Sequence, residues 1–152
     1  MELLRDIHGE IYISKEVYEE IQAGQAEGYP FYTGIERHVY PFNKAGWIHL
    51  TSVAGTDEFR LLGENPAKLG KGESSCLAIA RHRDWLFLTD DLDARKQVKR
   101  WGVRVSGSIG CLILAIEKGH CSPERANEFL YRMMIEGYRS PVSNLSELLD
   151  AT

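Results

Sequence analysis

From residue 10 onward the chain alternates between short apolar runs and longer amphipathic stretches. Glu10-Ile-Tyr-Ile13 alternates in polarity, is rich in β-prone residues and reads as a strand. Ser14 is a good N-cap for a helix from Lys15 to about Ala23, with Val17 and Ile21 on its buried stripe. Trp47-Ile-His-Leu50 reads as a second strand, followed by a helix near 56–63. Gly70-Lys-Gly72 opens a helix from Glu73 to about His82, with Cys76, Leu77, Ile79 and Ala80 on its apolar side. Trp85-Leu-Phe-Leu-Thr89 is a continuous apolar run, as expected of a strand buried on both faces. A charged helix spans Leu92 to Trp101, and Val103-Arg-Val105 is the next strand. Gly107 and Gly110 bracket the entry to an apolar helix through Ile116, and helices over 123–136 and 144–150 follow. Residues 2–7 read as the tail of a helix stopped at Gly9. Residues 28–46 mix Tyr29, Phe31, Tyr32, Tyr40 and Phe42 with glycine and proline, which predicts a loop with some helix inside it. Its aromatic side chains either pack the loop down or stack on nucleic-acid bases.

Strands that alternate with helices imply βαβ units. The expected fold is therefore α/β, a three-layer α/β/α domain with a mainly parallel sheet and right-handed crossovers. A length of 152 residues is one domain's worth, so residues 1–152 read as a single domain with a core that needs no staples. No run of 18 apolar residues is present, which gives no expectation of a membrane span. The first residues lack a basic-then-apolar pattern, so the expected compartment is the cytoplasm. Cys76, Cys111 and Cys121 are too few and too scattered for a disulfide framework. His120-Cys121 has no second Cys or His at zinc-ligand spacing.

The net charge of −4 is no signature of a nucleic-acid binder. The charge is unevenly spread, however: Arg81 to Arg104 holds seven Lys or Arg against four Asp. Arg95/Lys99 and Lys96/Arg100 are spaced i,i+4 and form two basic stripes on one helix. They either grip a phosphate backbone or form a solvated face.

In an open parallel sheet, ligands gather beyond the carboxyl ends of the strands. The 85–89 strand ends in Asp90-Asp91, two adjacent carboxylates that repel each other and call for a compensating cation or helix terminus. One Asp suffices to cap the helix at Leu92. Glu73 opens its helix after two glycines, and Glu19 and Glu20 lie mid-helix after the first strand. Carboxylates without thiols or a histidine cluster select Mg²⁺ or Mn²⁺. The loop Ser106-Gly-Ser-Ile-Gly110 has the glycines of a phosphate cradle but not the dinucleotide fingerprint.

Four segments in this order carry a resemblance: Ile11 to Ile21, Leu69 to Ala80, Trp85 to Arg95, and Val105 to Gly110. Together they are similar to the VapC-like branch of the PIN-domain family. The match covers most of the chain and is best from 69 to 119. The resemblance implies a ribonuclease in which clustered acids bind Mg²⁺ or Mn²⁺, the toxin of a toxin–antitoxin pair with RNA as substrate and an antitoxin protein as partner. It also implies a homodimer. By this resemblance Glu20, with Glu19 as alternative, takes the early-helix position, Glu73 the helix-start position, and Asp91 with Asp90 the post-strand position. Arg95, Lys99 and Arg100 are the residues expected to hold RNA. Family members usually carry a further Asp on a first strand, and here Met1 falls near the end of the helix that follows it. The expectation is thus an N-terminally shortened member lacking that acid. The alternative is a degenerate, non-catalytic PIN-like module that binds a protein or nucleic acid.

Overall fold

Gly9 separates the first helix from the first strand. α1 (Glu2–His8) stops there because Gly9 adopts φ +75°, and its N–H donates to the Arg5 carbonyl at 2.7 Å. β1 (Ile11–Ser14) runs directly into α2 (Lys15–Ala26), and the Ser14 hydroxyl accepts from the Val17 N–H at 3.1 Å, the cap read from the sequence. The computed structural model describes residues 2–28 and 34–149. Tyr29, Phe31 and Tyr32 of the aromatic segment lie outside the described residues. A 3-10 turn (Ile35–His38) and a two-residue strand, β2 (Val39–Tyr40), follow.

β3 (Ile48–Thr51) is the centre of a three-stranded parallel sheet in the order β1-β3-β2. Tyr12, His49 and Tyr40 share one register across it. The connections are helical: α3 (Gly55–Glu64), α4 (Lys71–Arg83) and, after β4 (Phe87–Leu88), α5 (Leu92–Trp101). β4 pairs with β5 (Val105–Ser106) in a separate two-stranded sheet. The fold is therefore α/β with parallel strands, as the alternation predicts.

The chain divides into two compact units, Glu10–Val105 and Met1–Gly9 with Ser106–Thr152. In the first, α4 packs on α2, α3, α5, β1 and β4, around a core of Leu69, Leu77, Ala80, Phe87, Ala94 and Val98. α4 is locked to α3 by a buried ion pair. Glu58, only 2% exposed, takes Arg83 Nε at 2.8 Å on one oxygen and Arg83 Nη2 at 3.0 Å on the other. Arg83 Nη1 also reaches the Thr51 hydroxyl at 2.8 Å, which ties the end of β3 into the clamp. The second unit consists of α1, α6 (Ser108–Glu117), α7 (Pro123–Ile135) and α8 (Ser146–Leu149) around Leu112, Ala126, Leu130 and Leu145. α1 packs on α6, where Lys118 Nζ donates to the Ile7 carbonyl at 3.3 Å.

The expected long strand at 85–89 is shorter than its apolar run. Asp84 ends α4 in the left-handed region at φ +56°, and the Trp85 N–H donates to the Ala80 carbonyl at 3.0 Å. Trp85 is thus spent on closing a helix, Leu86 is 40% exposed, and only Phe87–Leu88 forms strand. β2 is a strand where the sequence predicted only loop and helix, because Tyr40 and Val39 add to the free side of β3. Among the described residues no helix is long and apolar enough to cross a membrane.

Candidate active site

α4 begins at a glycine N-cap, Gly70, which has no side chain to offer to the unpaired amides of the first turn. One neighbour supplies an acceptor in its place. Glu20, from the exposed face of α2, accepts the Gly72 N–H on Oε1 at 3.1 Å. The two helix starts are joined underneath by a buried hydroxyl pair, Ser14 Oγ and Ser75 Oγ at 2.7 Å, and Ser75 also reaches the Gly72 carbonyl at 2.8 Å. Gly72 itself matters because a Cβ there would lie 2.9 Å from both Glu20 carboxylate oxygens.

Glu73, the next residue, is half-buried and faces the end of β4. The Thr89 hydroxyl lies 3.1 and 3.2 Å from its two oxygens and donates to the carboxylate. The same hydroxyl accepts the Asp91 N–H at 3.0 Å. One buried threonine thus ties the carboxylate on α4 to the backbone at the start of α5. Burial pushes the Glu73 carboxyl above the usual carboxylate range, the Thr89 hydrogen bond opposes this, and Asp91, Glu20 and Asp90 each push it further up. Asp91, Glu20 and Asp90 are thus all near enough to Glu73 for their charges to act on it.

Asp91 is also the N-cap of α5: its Oδ1 accepts from the Asp93 N–H at 2.8 Å and the Ala94 N–H at 3.3 Å. The two readings of this residue, cap and site, are compatible, because capping occupies Oδ1. Glu19 is exposed on α2, one residue from the Glu20 contact with α4. Among the described residues, no three His, Cys, Asp or Glu side chains are gathered closely enough to hold a metal ion as they stand.

The basic residues separate. Arg95 donates through Nη2 to the Thr89 carbonyl at 3.0 Å, so its guanidinium is anchored beside the site. Lys99 and Arg100 are exposed on the last turn of α5, about 12 Å along the helix from Asp91 at 1.5 Å per residue. Lys68, in the loop before α4, pairs with Asp93 at 3.1 Å and bridges the two helix starts. Thr89, Gly72 and the Ser14–Ser75 pair were not singled out from the sequence as site residues. A hydroxyl before an Asp pair at a strand end was the available signal for Thr89; the other three show only when α2 and α4 are side by side.

A family model described as PIN domain matches residues 1–152. No curated protein matches the chain.

Proposed function

Because the chain belongs to the PIN-domain family, a family of nucleases, we propose that Glu20, Glu73, Asp90 and Asp91 form the site of a metal-dependent ribonuclease. The observation that carries this reading is the Thr89 hydroxyl, which holds the Glu73 carboxylate and the Asp91 backbone together while Glu20 sits on the adjacent Gly72 amide. The donor set fits a hard divalent cation: all four groups are carboxylates, with no thiol or imidazole among them. Glu20, Glu73 and Asp91 would hold Mg²⁺ or Mn²⁺, with Asp90 beside them. Such an ion, when bound, supplies an activated water and charge stabilisation at a phosphodiester.

The chain's own residues do the rest. Thr89 orients Glu73, and the Gly72 amide orients Glu20. Asp91 spends Oδ1 on the helix and keeps Oδ2 for the site. Arg95 contributes a fixed positive charge one turn along α5, and Lys99 and Arg100 extend it as a track for the RNA backbone. Asp91→Asn is expected to abolish Mn²⁺-dependent RNA cleavage while the protein stays folded. Cleavage that survives this substitution, or persists in excess chelator, counts against the proposal.

A second reading is the non-catalytic module. Its support is that Glu20, Glu73 and Asp91 are each engaged in a protein hydrogen bond and no three ligands are gathered among the described residues. RNA binding without any Mn²⁺-induced change in melting temperature favours it.

Homodimerisation is part of the same proposal. In a parallel ladder alternate residues face the same neighbour, and Ile11 N–H donates to the Trp47 carbonyl on the β3 side. Tyr12 therefore faces its backbone groups away from β3, and β1 pairs with no second strand among the described residues. Leu86 and Leu88 face theirs away from β5, since Phe87 N–H donates to Arg104. Such edges are templates for another chain. A 17.2 kDa species by sedimentation at micromolar concentration refutes the dimer. An antitoxin partner is expected to relieve growth arrest on co-expression, and a chain harmless when expressed alone removes that part of the reading.

A further inference from the structure

We propose that Gly72 is a positioning residue that sets the place of the Glu20 carboxylate, so that α4 receives two carboxylates side by side, one its own and one from α2. This inference rests on the site proposed above. Its basis is steric. A Cβ at Gly72 would stand 2.9 Å from each Glu20 oxygen and 3.0 Å from Val17 Cγ2, closer than side chains pack. Glu20 is the far end of a flexible, exposed side chain, whereas Val17 need give only a few tenths of an ångström. An added methyl therefore displaces Glu20 and leaves the helices where they are.

The surroundings make Gly72 the point of control. Gly70 caps α4 without a side chain, so the Gly72 N–H depends on Glu20 Oε1 for its partner. The Ser14–Ser75 hydroxyl pair is fully buried and joins the starts of α2 and α4, so the gap between the two helices is held constant. Within that fixed gap, the room left by the missing Cβ is the room the carboxylate occupies. Glu73 follows Gly72 directly, so an error in the placement of Glu20 is an error in the separation of two proposed ligands. Removing an orienting partner of a metal ligand ordinarily weakens metal affinity 10- to 100-fold.

The experiment compares wild type, Gly72→Ala, Glu20→Gln and the double variant by Mn²⁺ titration, with melting temperature as control. Gly72→Ala is expected to weaken Mn²⁺ binding about 10-fold or more, with its melting temperature close to wild type. The double variant is expected to bind Mn²⁺ no more weakly than Glu20→Gln alone, because Gly72 acts only through Glu20. Wild-type affinity in Gly72→Ala, or losses that add in the double variant, overturn the inference. Glu20→Asp gives an independent arm if Gly72→Ala fails to fold. It keeps the charge but is one methylene too short for the amide, and unchanged Mn²⁺ affinity there overturns the inference too. The Gly72 amide proton resonance separates this proposal from the nuclease reading. Wild type that binds no Mn²⁺ defeats the metal site, yet Glu20→Gln should still shift the Gly72 resonance; if it does not, the carboxylate is not seated there.

Discussion

Acid is expected to withdraw from the first unit the stability that the α3–α4 clamp contributes. Glu58 is buried, and its carboxyl is held at about 2, well below its usual 4.5. The Arg83 hydrogen bonds are the largest cause; burial opposes them, and the Ala54 N–H and His82 add to them. The folded value lies below the unfolded one, so the pair stabilises the native state fully above about pH 4.5, and this is lost as pH falls toward 2. At 1.36 kcal/mol per unit the contribution is about 3 kcal/mol. Glu58→Gln removes the charge without changing the shape. At pH 7 it is expected to lower stability by about 3 kcal/mol, or melting temperature by about 6–12 °C for a chain of this size. It should also flatten the pH dependence between 4.5 and 2. Urea unfolding followed by circular dichroism at several pH values measures both. A variant whose midpoint runs parallel to wild type through that window would refute the reasoning, since the titrating group would then be another.

Three further outcomes follow from the site. Thr89→Val keeps the shape but leaves Glu73 and the Asp91 N–H without their shared partner, so it is expected to cost about 1–3 kcal/mol in denaturant unfolding and to impair Mn²⁺-dependent cleavage. Asp91→Ala is expected to destabilise by about 1 kcal/mol, whereas Asp91→Asn, itself a good N-cap, should lose cleavage with almost no loss of stability. Replacing Lys99 and Arg100 together by alanine should weaken RNA binding at all sequences and reduce its salt dependence by about 0.7 for each phosphate no longer neutralised, checked by titrations at several ionic strengths.

Much of this architecture is visible in residue order because its punctuation is local. Asp91 and Gly102 delimit α5 at the expected residues, and Ser14 marks the junction of β1 and α2. What escaped depends on residues far apart in the chain. Glu58 sits in the first turn of α3 and was not singled out from the sequence; only Arg83, arriving from α4, explains its burial. The apolar run at 85–89 reads as a long strand because nothing in its composition reveals that Asp84 turns left-handed and draws Trp85 back onto α4. The acidic residues were readable as candidates, but the choice of Glu20 over Glu19 rested on family resemblance alone. The hydrogen bond from Gly72, which sets Glu20 apart from Glu19 structurally, spans 52 residues and has no trace in the local sequence.

The division of the chain into units sets a timetable for its synthesis. Residues 10–105 are contiguous and can fold as they emerge, whereas α1 belongs with a segment that begins only at Ser106. α1 therefore lacks its packing partner α6 until that helix has been made, a delay of roughly 5–20 s at ordinary elongation rates. During that interval Ile7, buried in the finished protein, is without the residues of the later segment that cover it.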